Sequence, residues 1–170
     1  MINFHEVKSE SDLGLIENMA NKIWHEHYTP IIGTVQVNYM LDKFQSIAAM
    51  RDQIDNGYQY FLINFNENAI GYLSFEKREN ALFLSKIYLL KSERGKGIGR
   101  KAMEFVMSVA KGFNCAKVAL TVNRFNQNSI RAYESAGFEK KGELVQDIGN
   151  GFVMDDYLME KTILSVENSL

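Results

Sequence analysis

The spacing of apolar residues changes twice along this chain. Ile2 and Phe4, with Val7 after them, alternate as in a short strand. Leu13, Ile16, Met19, Ala20 and Ile23 then recur at helical intervals, behind a Ser11-Asp12 pair suited to cap a helix. Pro30 and Gly33 interrupt that pattern. A second helix is expected with Val35, Tyr39, Met40 and Phe44 along one side. Ser46 caps a third over residues 47–55, and Gly57 closes the helical stretch.

From residue 58 the pattern becomes that of strands. Residues 58–65 are rich in aromatic and β-branched side chains, residues 66–68 turn, and residues 69–76 return, which makes a hairpin. A polar turn at 77–80 leads to a third strand, 81–90. Residues 98–111 read as a helix with Ala102, Phe105, Val106, Val109 and Ala110 inward; Gly112 stops it and Lys111 suits its last turn. A strand to residue 122, a helix over 127–135 and a closing hairpin complete the order. The hairpin pairs 138–145 with 151–161, and Asn150-Gly151 is its turn signal. Helices, then a strand meander, then mixed elements argue an α+β class: one domain over 1–163, a mixed, mostly antiparallel seven-stranded sheet flanked by helices, and a polar, frayed tail at 164–170.

Composition narrows the function classes. The chain has 170 residues, 46% hydrophobic and 24% charged, with one proline and a formal net charge of -2. That charge does not favour nucleic acid, and no apolar stretch reaches membrane-spanning length. Residues 1–6 carry an early acid and no apolar run, unlike a secretory leader, so a cytoplasmic setting is expected. Cys115, the single cysteine, has no internal disulfide partner; in a predicted strand it reads as a small buried residue.

Any anion site must therefore be local, and residues 91–100, Lys-Ser-Glu-Arg-Gly-Lys-Gly-Ile-Gly-Arg, supply one. Gly95, Gly97 and Gly99 let the backbone curl and gather its N–H groups, and the helix from Ile98 adds its free N–H groups and the positive end of its dipole. Arg94, Lys96, Arg100 and Lys101 add charge. Donors this numerous suit a diphosphate. No Gly-x-x-x-x-Gly-Lys-Ser/Thr string is present, and Gly95-Lys96-Gly97-Ile98-Gly99 lacks the last interval of a dinucleotide fingerprint. Read alone, the loop could also be a glycine-rich turn with solvated charges.

A second motif lies one helix and one strand downstream. Asn126, Ser129, Ile130, Tyr133, Gly137 and Phe138 match an Asn-x-x-Ala/Ser-Ile-x-x-Tyr-x-x-x-Gly-Phe pattern, and Arg94, Gly97 and Gly99 match Arg/Gln-x-x-Gly-x-Gly/Ala. With both motifs at this separation, the chain resembles the GNAT superfamily of N-acetyltransferases, well over residues 58–161 and loosely before them. Its hairpin and helical N-terminal cover are similar to those of bacterial polyamine N-acetyltransferases.

The resemblance implies acetyl-CoA as acyl donor, lying where the strand at 87–89 splays from that at 119–122. It implies a cofactor site of Ile87, Tyr88 and Leu89, then Arg94, Gly95, Lys96, Gly97, Ile98, Gly99 and Arg100, then Asn126, Ser129 and Tyr133. Backbone groups of Ile87 and Leu89 would pair with the pantetheine amides, and an N–H near Leu89 would polarise the thioester carbonyl. Asn126 would bind pantetheine or, alternatively, cap a helix. Tyr133 would protonate the departing thiolate or, alternatively, pack beside Ile130.

The acceptor amine must lose a proton first, for which Glu76 and His27 are candidates, with His25 and Glu26 beside it. Histidines at alternate helix positions face apart, so no metal site is expected. Trp24, Tyr28, Tyr39, Phe75, Tyr88 and Phe152 are candidate acceptor walls, and Asp147, Asp155 and Asp156 candidate anionic contacts, a mixture suited to a cationic amine or polyamine. A protein N-terminus or lysine is the alternative acceptor, and a non-catalytic acetyl-CoA-binding module a further one. A homodimer is compatible with all three.

Overall fold

The computed structural model describes residues 1–163, so the expected tail at 164–170 lies outside the described residues. Strand β1 (Ile2–Glu6) is followed by α1 (Glu10–His27), α2 (Thr29–Ile32), α3 (Thr34–Gln45) and α4 (Ile47–Asp55). Then come β2 (Gln59–Phe65), β3 (Asn68–Arg78), β4 (Ala81–Leu89), α5 (Ile98–Gly112), β5 (Lys117–Asn123), α6 (Gln127–Ser135), β6 (Glu139–Gly149) and β7 (Phe152–Thr162). The sheet has seven strands in the order β1-β2-β3-β4-β5-β7-β6. It is mixed and mostly antiparallel, with β4 and β5 the parallel pair. The α+β expectation holds.

The chain forms two compact units, Met1–Glu76 with Ser85–Ala102, and Lys77–Leu84 with 103–170. In the first unit, β1, β2 and β3 form an antiparallel meander. Asn66 and Glu67 turn β2 into β3 with φ of 48° and 72°, backbone that Asn tolerates better than most residues. The cap of α1 lies two residues before the expected Ser11: Ser9 Oγ accepts the Asp12 N–H at 3.1 Å. Ser46 caps α4 as expected, accepting from Ala49 N at 3.2 Å. On α3 the buried residues are Val37, Met40, Leu41 and Gln45, whereas Val35, expected inward, is exposed. Gln45 faces inward because its Oε1 accepts from the Tyr72 hydroxyl at 2.9 Å, which satisfies both buried polar groups.

One buried cation in this unit has a measurable consequence. Lys86 on β4 is only 6% exposed, and its Nζ donates to Phe44 O at 2.5 Å, Gln53 Oε1 at 3.0 Å and Tyr60 Oη at 2.5 Å. Burial pushes its pKa down to about 7. Between that value and the unfolded value near 10.5, the unfolded chain holds a proton that the native state lacks, so stability rises with pH. The slope should reach up to about 1.4 kcal/mol per pH unit. It reverses near pH ~10, where unfolded tyrosines ionise while burial holds Tyr60 and Tyr72 protonated. Urea unfolding across this range should show the slope, and Lys86→Met should flatten it.

In the second unit, β5 pairs antiparallel with β7 and β7 with β6. The parallel ladder joins Ala81–Phe83 of β4 to Lys117–Ala119 of β5, while β5 itself runs on to Asn123. Asn150 and Gly151, at φ of 54° and 79°, turn the last hairpin as expected. Ala102, Met103, Val106 and Ala110 form the buried stripe of α5; Met103 was not among the residues expected inward, and Phe105 and Val109 are half-buried. Cys115 is buried as expected but precedes β5 instead of lying in it.

Candidate active site

In the first unit, β4 delivers the chain to the glycine loop. Ile87, Tyr88 and Leu89 are half-buried, and a short 3-10 turn at Lys91–Glu93 follows. Arg94 Nε donates back to the Leu89 carbonyl at 3.3 Å, so the first motif residue is fixed to the strand end. Gly95 and Gly97 adopt φ of 78° and 80°, the left-handed region, and a Cβ on either would meet open space. These glycines are required by conformation, not by crowding. The loop ends on α5, where the Gly97 carbonyl accepts from Lys101 N at 3.3 Å and Ile98 is buried as an anchor. Lys96 pairs with Glu93 at 3.3 Å, while Arg94, Gly99 and Arg100 are exposed. A curled backbone at a helix start, edged by cations, binds anions through its N–H groups.

Sequence reasoning missed Gly71. A Cβ there would lie 2.4 Å from the Tyr88 carbonyl oxygen and 2.8 Å from Leu89 Cδ2, so β3 approaches β4 closely only because this residue has no side chain. Gly71 differs from the loop glycines in having no positive φ, and its signal would have been a glycine inside a strand pattern.

Four of the expected residues come together through rings. Trp24 lies 4.4 Å from Tyr28 and 5.8 Å from Tyr88, ring centre to ring centre, and His27 lies 4.8 Å from Tyr28. Tyr72, also unforeseen, completes the cluster at 5.4 Å from Tyr88. His27 is thereby linked, ring to ring, to the strand that carries Ile87 and Leu89. Phe75 is corrected from wall to core: it is 1% exposed and stacks on Phe61 at 5.5 Å. Glu76, the next residue, is half-buried near the end of β3, and Tyr39 is half-buried on α3.

In the second unit, Asn126 stands at the N-cap position of α6, 3% exposed, and its side chain makes no capping hydrogen bond. The capping alternative for this side chain is therefore removed, although its backbone carbonyl accepts from Ile130 N at 3.0 Å. Ser129 is half-buried on the first turn. Tyr133 is half-buried and its ring meets Phe138 edge-on at 5.8 Å, so its packing partner in the motif is Phe138. Gly137, at φ of 97°, reverses the chain between them beside Lys161, whose Nζ donates to Ala136 O at 2.6 Å.

The three aspartates divide. Asp147 Oδ1 accepts from Gly149 N at 2.8 Å and shapes the last turn. Asp155 pairs with Arg124 at 2.8 Å, and Arg124 also reaches Glu143 at 3.3 Å. Asp156 is buried, and burial, then the Asp155 charge, pushes its pKa up to about 6. Phe152 is half-buried at the start of β7. Among the described residues no group of three or more His, Cys, Asp or Glu is placed to hold a metal, and no helix is long and apolar enough to cross a membrane.

Loop, fold and second motif together define an acyl-CoA-type transferase scaffold. The chain belongs to the Acetyltransferase (GNAT) family, which it matches over residues 18–138. A probable spermine N(1)-acetyltransferase of Bacillus subtilis subsp. natto is 27% identical over 70 residues, 41% of this chain and 46% of the relative. The chain thus spans about half the length of the curated relatives it matches. PaiA N-acetyltransferase from Thermoplasma acidophilum, solved with coenzyme A, shares the fold at TM-score 0.80 and 20% identity, covering 96% of this chain and 99% of that one. The ribosomal-protein-S18-alanine N-acetyltransferase of Escherichia coli does so at TM-score 0.72 and 16% identity, over 100% and 99%.

Proposed function

We propose that the protein transfers acetyl from acetyl-CoA to a primary amine of a small molecule, with a polyamine as the favoured acceptor class. The observation that carries this reading is the strand-loop-helix unit: Arg94 tied to Leu89, then left-handed Gly95 and Gly97, then the start of α5 at Ile98. The loop would hold the cofactor's pyrophosphate, and the backbone of Ile87 to Leu89 its pantetheine amides. Asn126 would add a side-chain hydrogen bond to the same arm, with Ser129 nearby on α6. The neutral amine attacks the thioester carbon, an N–H near Leu89 stabilises the oxyanion, Tyr133 gives its proton to the thiolate as the C–S bond breaks, and the nitrogen's surplus proton restores the Tyr133 hydroxyl. The half-buried rings of Tyr28 and Tyr88 suit an alkylammonium; similarity to a spermine acetyltransferase points the same way. We read the setting as cytoplasmic, without nucleic acid as partner and compatible with a homodimer.

Thiol release from acetyl-CoA, assayed over polyamines, amino acids, aminoglycosides and peptides with free N-termini, tests the reading. Turnover on a polyamine or another small amine is expected. Turnover on peptides alone would move the acceptor to protein, and none on any amine would overturn the reading. Gly97→Val should raise the Kd for CoA about tenfold, since a β-branched residue at φ of 80° costs roughly 1–2 kcal/mol, which the loop relieves by displacing the N–H groups. A Cβ at Gly97 meets nothing, so no clash adds to the strain, but the strain is present without ligand and should lower the melting temperature by roughly 2–8 °C; calorimetric titration with CoA reads the affinity separately.

A further inference from the structure

Asp156 in the second unit is a largely buried carboxylate whose oxygens are not fully enclosed. It is 5% exposed, and among the described residues no hydrogen bond or ion pair reaches its carboxylate. The cations of β5, β6 and β7, and Arg124 just after β5, are engaged elsewhere. Lys117 pairs with Glu160 at 2.7 Å, Arg124 with Asp155 and Glu143, and Lys141 with Glu139 at 3.0 Å. Lys140 sits over the Tyr157 ring and Lys161 donates to Ala136 O.

Strand alternation explains the separation. Asp155 and Tyr157, with Arg124 and Glu143, share one face of the sheet, and Asp156 points to the other. Its cross-strand neighbours there are Asn123 on β5 and Leu144 on β6. Neither carries charge; among the described residues the charge that acts on it is that of Asp155, adjacent on β7, which repels. Asn123 ends β5, three residues before Asn126 and the helix that bears Tyr133. A largely buried carboxylate without a cation is disfavoured as the ion, and the remaining access of the Asp156 oxygens lets a cation from outside reach it.

We propose that the Asp156 carboxylate is the seat of the acceptor's ammonium and takes its proton. This rests on the amine-acetylation reading above. The ammonium N–H bond breaks and a carboxyl O–H forms. The freed lone pair makes the C–N bond, the C–S bond breaks, and the second nitrogen proton replaces the one Tyr133 gives to sulfur. The Asp156 proton leaves to solvent with product release.

Asp156→Asn keeps shape and removes the charge. In the wild type, kcat/KM for the amine should rise through about pH 6 and then level, as Asp156 ionises. In the variant only free amine reacts. At neutral pH its kcat/KM should fall about 10²-fold, then climb toward the amine's own pKa near ~10.4. Its Kd for acetyl-CoA should hold within about twofold, and its melting temperature at neutral pH should equal or exceed the wild type's, because a buried charge is gone. A merely structural aspartate would not move the pH profile. An active wild type whose Asn variant keeps the same rate and profile overturns the assignment while the acetyltransferase reading stands. If the wild type acetylates no amine, that reading falls, and the seat falls with it unless spermine raises the wild-type melting temperature and not the variant's. Should the Asn variant fail to fold, Asp156→Glu decides: retention of the levelling near pH 6 supports the seat, and its loss overturns it.

Discussion

Tyr133→Phe should lower kcat by about 10² to 10³-fold and leave the Kd for acetyl-CoA within about threefold. The substitution removes one hydroxyl and keeps the ring that meets Phe138 edge-on. Packing is preserved, so a Tyr133 that served only the core would leave kcat unchanged. A general acid behaves differently. Its proton is needed after binding, when the thiolate departs, so the loss falls on kcat and not on ground-state affinity. The half-buried position fits that duty, because a fully enclosed phenol could not regain its proton. Steady-state kinetics with saturating acetyl-CoA, beside a melting curve, separate the two roles: an unchanged kcat with normal stability would remove Tyr133 from the chemistry and leave family membership intact.

Much of this arrangement is legible in sequence, for physical reasons that differ by element. The meander reads easily because strand period, β-branched composition and the Asn-Gly turn agree over β2, β3, β4 and the final hairpin. The loop reads because Gly95 and Gly97 are conformational requirements, which residue type alone reveals. The start of α1 was ambiguous locally: Ser9 and Ser11 each precede an acid, and only the folded chain shows which hydroxyl meets a free N–H. On α3, two overlapping stripes fit a helical period, and the buried Gln45–Tyr72 pair selects the one containing Val37 and Leu41. Phe75 meets Phe61 and Tyr72 meets Tyr88 because strand residues an odd number apart face opposite ways, and which face carries the Trp24 cluster depends on pairing. Gly71, Lys86 and the isolation of Asp156 are invisible in one dimension, since each is defined by what lies on a neighbouring strand or helix.

Gly71→Ala carries the other large effect. The added Cβ would lie 2.4 Å from a backbone oxygen, that of Tyr88, and 3.3 Å from Leu89 Cα. Backbone cannot rotate aside as a side chain can, and β4 is held in register there by Leu90 N donating to Ile70 O at 2.9 Å. The strand must therefore shift or the hydrogen bond break, at a cost of about 2–3 kcal/mol, which for a chain of this size lowers Tm by roughly 4–12 °C. The displaced segment contains Leu89, whose carbonyl fixes Arg94, so affinity for CoA should fall with stability. Gly14 is the control: it lies inside α1 with nothing within 4 Å of a Cβ. Gly14→Ala should gain up to about 1 kcal/mol from helix propensity and leave CoA binding untouched. Thermal melts and CoA titrations separate Gly71→Ala, which loses both, from Gly14→Ala, which loses neither. A Gly71→Ala protein that melts and binds as the wild type does would mean that β3 and β4 are not in the close contact on which the geometry of the Tyr88–Leu89 segment depends.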